Sequence, residues 1–148
     1  MYNKGAAKTY QSVQVTTTDR GRLLLMMYEG ALKFLRQAKA GIKDNDVPKF
    51  CRFLSKAQAI IAELMNTLDF EQGGTIASDL DRLYDFMLFY LTEANLYRDS
   101  ERIDRVIKLI NTIYEAFKDV VENEKYRDDL EERNKVAGEA IRSIHISL

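Results

Sequence analysis

The 148-residue chain is 46% hydrophobic, with one proline and seven glycines, a size and composition that suit one all-helical domain with a buried core. No stretch approaches the ~20 apolar residues of a membrane span, no basic-then-apolar leader is visible, and Cys51 has no second cysteine to pair with, so we expect a cytoplasmic protein with no direct membrane insertion. The net charge of −1 hides a split, since residues 1–60 hold eleven of the 22 Lys/Arg but only four of the 23 Asp/Glu; without a base-reading or stacking motif, that split reads as basic and acidic helices facing each other, not as a nucleic-acid surface.

Residues 1–15 contain Tyr2, Tyr10, Val13 and Val15 but no sustained helical spacing. Thr16 followed by Asp19 forms a loose capping-box analogue, so a first helix is expected from near Thr18 to near Lys43. Leu24, Met27, Ala31, Phe34, Ala38 and Ile42 repeat at steps of three and four, with a second row at Leu25, Tyr28, Leu32 and Leu35. Two adjoining rows demand cover on more than one side. Gly30 lies mid-helix at a cost of roughly 1 kcal/mol against alanine and is read as a place where another backbone comes close.

Pro48 suits the first turn of a second helix, which carries Phe50, Leu54, Ala57, Ile61, Leu64 and Leu68, flanked by Phe53 and Ile60. Gly73 and Gly74 read as the end of that region, with Thr75 or Ser78 capping the next. A third helix shows Ile76, Leu80, Leu83, Met87, Tyr90, Ala94 and Tyr97, with Tyr84, Leu88 and Leu91 beside them. After Tyr97–Ser100, a fourth has one row of Ile103, Ile107, Ile110, Tyr114, Phe117 and Val121. Val106, Ile113 and Val120 make a second row, Leu109 and Ala116 a third. That exceeds the three positions in seven a bundle helix usually buries. The fourth helix is therefore either sandwiched by other parts of the chain or keeps an apolar surface for a partner.

The expected fold is all-α: an antiparallel up-down four-helix bundle over residues 1–123 with a mobile N-terminal segment. Residues 124–148 form a charged extension in which Leu130, Ala137, Ile141 and Ile144 fit a weak, short fifth helix.

Catalytic chemistry is missing. His145 is the only histidine, so neither a di-metal carboxylate bundle nor a zinc site with Cys51 has enough ligands. Cys51 reads as a small core residue, and Asp79, Asp81 and Asp85 as a solvated face. Gly73-Gly74 lacks the lysine and the preceding strand of a phosphate loop. We expect no enzyme activity, no cofactor and no metal. Met26, Met27, Met65 and Met87 serve either as core filler or as an adaptable binding surface.

Tyr10, Val13 and Val15, followed by the threonine-rich entry into Leu25-Met26-Met27-Tyr28-Glu29-Gly30-Ala31-Leu32-Lys33-Phe34-Leu35, resemble the flagellar secretion chaperone family FliS. The likeness continues through Lys56–Leu64, Leu68-Asp69, Leu83–Met87 and Ala94-Asn95 to about Val121. Asp19-Arg20-Gly21 stands where the family usually has a proline, Ala116-Phe117 where it often has Ala-Trp, and residues 124–148 run beyond its usual end. The resemblance implies a protein that covers the C-terminal segment of flagellin in the cytoplasm and delivers it to the flagellar type III export apparatus. An export-gate membrane protein is then a second partner. Apolar surface beyond what the bundle consumes would take helical portions of a disordered client.

The residues expected to make that surface are Ile60, Leu64, Ile103, Val106, Ile110, Ile113 and Phe117, each of which equally suits the bundle interior. By resemblance, Tyr10, with Val13 and Val15, lies over the surface when flagellin is absent and helps docking at the gate; otherwise Tyr10 is a hydrophobic staple on the first helix. The alternative function is a structural or regulatory module that dimerises through the fourth helix.

Overall fold

The computed structural model describes residues 17–123 and 130–147. Five helices follow in order: α1 (Thr17–Lys43), α2 (Val47–Asn66), α3 (Phe70–Tyr97), α4 (Ser100–Glu122) and α5 (Leu130–Ser147). No strand occurs among the described residues. The expected N-terminal segment, including Thr16, lies outside them.

Aspartates start three of the helices. Asp46 accepts from the Lys49 N–H at 3.1 Å, Asp69 from those of Glu71 and Gln72, both at 3.0 Å, and Asp99 from that of Glu101 at 2.9 Å. Each bond satisfies a donor the helix itself leaves open. Pro48 occupies the first turn of α2 as expected. The start of α3 differs from the sequence reading. Asp69, not Thr75 or Ser78, is its cap, and one turn forms before Gly74 breaks the helical path with φ 50° and ψ −124°. Only glycine adopts that φ freely, so the glycine pair marks a joint inside α3. Leu68 falls in the connection, not in α2, and still packs on the core.

Contacts run α1 to α2, α2 to α3, α3 to α4 and α4 back to α1, the closed ring of an up-down bundle with short loops. Tyr28, Leu35, Phe50, Leu54, Ile61, Leu83, Met87, Leu91 and Ile103 are fully enclosed at its centre. In α1 the second row, Leu25–Leu35, is the deeper one, and Leu24, Met27, Phe34 and Ile42 sit at its margin. Close backbone approach occurs at Gly41, where an added Cβ would lie 2.6 Å from the Phe50 nitrogen. Gly30 instead faces the tip of the Ile60 side chain, 3.3 Å from where its Cβ would be.

α5 docks across α3 and α4. α4 therefore touches three neighbours, α1, α3 and α5, which accounts for its wide apolar arc, although Ile107, Tyr114, Phe117 and Val121 remain half-buried.

Candidate partner-binding surface

Two tyrosine hydroxyls meet across the bundle diagonal, where Tyr28 of α1 and Tyr84 of α3 hydrogen-bond to each other in full burial. Burial pushes the Tyr28 phenol well up, with the nearby Tyr84 adding to it. Burial likewise pushes Tyr84 up to about 12, against a smaller lowering by its bond to Tyr28. Both hydroxyls therefore stay neutral, as their enclosure requires. Phe117 of α4 stacks on the Tyr28 ring at 6.3 Å between centroids. One turn earlier the Tyr114 hydroxyl donates to Glu29 at 2.6 Å. That carboxylate, first among the causes, pushes the Tyr114 phenol up to about 12.

The residues expected to form the binding surface separate into three groups. Leu64, Ile103, Val106, Ile110 and Ile113 come together in the interior, each at most 1% exposed. Ile60 and Phe117 are half-buried at the margin of that core, Ile60 over Gly30 and Phe117 over Tyr28. Tyr10, Val13 and Val15 lie outside the described residues.

The large apolar side chains left open lie elsewhere. On α3, Phe89 is 63% and Leu96 73% exposed. They are seven residues apart on one side of the helix, beside the stacked pair Phe86 and Tyr90 and the exposed Tyr97. Arg102 lies over both the Tyr90 and Tyr97 rings. On α1, Leu23 and Met26 stand open. At the α1–α2 seam, Phe34 stacks on Phe53 and the Lys56 ammonium lies 5.5 Å from both ring centroids. Phe89 and Leu96 were missed because they fall outside the buried row of α3; falling outside it was their only signal.

Two polar expectations change. Cys51 is exposed on α2, not a core residue. Asp79 is buried, not solvated, because α5 lies over it and brings Arg142 to 3.7 Å. Among the described residues no group of three or more His, Cys, Asp or Glu is placed to hold a metal ion, and no helix is long and apolar enough to cross a membrane.

The arrangement defines a helical-bundle protein with open apolar and aromatic helix faces, a form suited to binding other polypeptide segments. The family model described as "Flagellar protein FliS" matches residues 1–124, and the chain belongs to that family. It is 36% identical over 124 residues to the flagellar secretion chaperone FliS of Campylobacter jejuni, covering 84% of this chain and 97% of that one. It is 37% identical over 114 residues to FliSB of Pseudomonas aeruginosa, 74% of this chain and 90% of that one. With FliS of Salmonella typhimurium the identity is 36% over 125 residues, 81% of this chain and 93% of the relative.

Proposed function

We propose that this protein is a cytoplasmic flagellar export chaperone that binds the disordered C-terminal segment of flagellin, prevents its premature polymerisation and delivers it to the export apparatus. The supporting observation is family membership across the whole four-helix body, residues 1–124. Its relatives bear the name flagellar secretion chaperone. The open faces of α1 and α3 agree with that role. A disordered client orders as it wraps such a surface, trading part of its affinity for a large contact.

In this reading Ile60 and Phe117 stand at the contact itself. Leu64, Ile103, Val106, Ile110 and Ile113 form the floor beneath it, reached where a covering element moves aside. Tyr10, Val13 and Val15 act as that kind of cover and as the contact to the export-gate membrane protein. The chain does not act as an enzyme.

The test is size-exclusion co-elution of the purified protein with its organism's flagellin and with flagellin lacking the C-terminal segment. Stable co-elution with the first alone is expected. Equal behaviour of the two, whether both bind or neither does, would overturn the proposal.

A further inference from the structure

The match to the family ends at residue 124, and α5 begins at Leu130. The Campylobacter relative is covered over 97% of its own length by 124 residues of this chain. The family match thus takes in α1–α4, and α5 lies beyond it.

Its attachment is described over residues 134–144. Ala137, Gly138 and Ile141 are buried and Ile144 is packed partly against the core, whereas Asn134, Lys135, Val136, Glu139 and Ser143 are exposed. Helices in proteins draw most of their stability from packing an apolar face and not from propensity, so docking supplies most of the order of these 18 residues. Gly138 permits the approach, since a Cβ there would stand 2.9 Å from Cγ1 of Ile76. One turn on, Arg142 reaches Asp79. The two pairings advance together, so α5 runs in the same sense as α3.

The floor of this groove carries a penalty. The Asp79 side chain is only 9% exposed, and its Oδ2 accepts no hydrogen bond. Arg142, at 3.7 Å and 42% exposed, stands too far away to supply one. A covered carboxylate with an empty acceptor position is held against its hydration. Removing α5 returns water to Asp79 and offsets part of what Ile141 loses.

We propose that the groove between α3 and α4 is a docking site for one amphipathic helix of the client, anchored at Asp79, and that α5 occupies it until the client displaces it. The occupant's chemistry is set by what α5 presents: a small residue against Ile76, an aliphatic residue three positions on, and a hydrogen-bond donor next to it for Asp79. A client helix that donates directly to Oδ2 outcompetes Arg142. This inference rests on the chaperone reading above.

The test uses the full chain in three forms. Cys51→Ser removes the exposed thiol, and adding Ile76→Cys with Gly138→Cys locks α5 in place on oxidation, because a Cβ at 138 would stand 2.9 Å from Cγ1 of Ile76, one bond beyond the Ile76 Cβ and inside disulfide reach. Ile141→Glu expels α5. By calorimetry, a synthetic peptide of residues 130–148 should bind the Ile141→Glu chain and not the oxidised one. A flagellin C-terminal peptide should bind the reduced chain, bind the oxidised chain at least about tenfold more weakly, and bind the Ile141→Glu chain more tightly. Equal flagellin affinity of the oxidised and reduced chains would overturn the proposal and leave the chaperone reading standing. Failure of the 130–148 peptide to bind would overturn the groove. Flagellin binding to no form, while that peptide binds, would overturn the client assignment and the chaperone reading together.

Discussion

The Tyr28–Tyr84 contact joins α1 to α3 across the bundle, and among the described residues its two hydroxyls have only each other. Removing one leaves a buried hydroxyl without a partner, whereas removing both leaves a dry apolar contact. Tyr28→Phe and Tyr84→Phe should each cost about 1–3 kcal/mol in urea unfolding, and the double variant less than the sum of the two. The pair also fixes a pH dependence. Both phenols are raised on folding, Tyr84 to about 12, from an unfolded value near 10. Their contribution is therefore complete below about pH 10 and is lost as pH rises through about 12, because the unfolded chain ionises first. The double variant should lose less stability than the parent across that interval; matching losses would mean the alkaline limit lies elsewhere. Asp79 teaches the opposite lesson at the same scale. Its place beside Asp81 and Asp85 in the sequence read as solvent, yet it is only 7% exposed, with Arg142 of α5 3.7 Å away.

Helix periodicity carried most of the fold. The steps of three and four in α1, α2 and α4 located those helices, because a helix face turned to a core cannot avoid that spacing. The same property does not separate a groove from a core. Val106 and Ile113 repeat at seven whether they line a groove or a core, and the structure encloses both completely. The start of α3 was misread because Asp69 follows directly on Leu68, an apolar residue in step with α2, and because Gly73-Gly74 looks like a stop. Local chemistry at the caps was more legible, and at α4 it is testable. Burial works to raise the Asp99 carboxyl, but the hydrogen bonds from the Arg102 side chain and the Glu101 and Arg102 amides prevail and hold it below its usual range. Its contribution is present above the unfolded value, near pH 3.9, and lost as pH falls through the lower folded one. Asp99→Asn keeps a capping oxygen but not the charge. It should melt a few degrees below the parent at neutral pH and converge with it in acid; a constant gap at every pH would assign the loss to geometry alone.

At the scale of the molecule, buried packing is shared unequally among the helices. The α1–α4 body holds nearly all of the large enclosed side chains, while α5 reaches the buried apolar cluster through Ile141. Opening free energy follows such packing, so elements with few buried contacts open without unfolding the rest. Amides in the middle of α5 should accordingly exchange with deuterium far faster than those around Leu83 in α3 or Val106 in α4, and removing denaturant should not erase that difference. Adding the flagellin C-terminal peptide should accelerate exchange in α5 while slowing it in the adjoining stretch of α3 around Ile76 and Asp79. Protection that rises in α5 on binding would show client and helix sitting side by side on the bundle, with no exchange of one for the other. Uniform protection across all five helices, with or without the peptide, would make α5 an integral fifth member of the core, and the flagellin contact would then fall to the open stripe of Phe89 and Leu96.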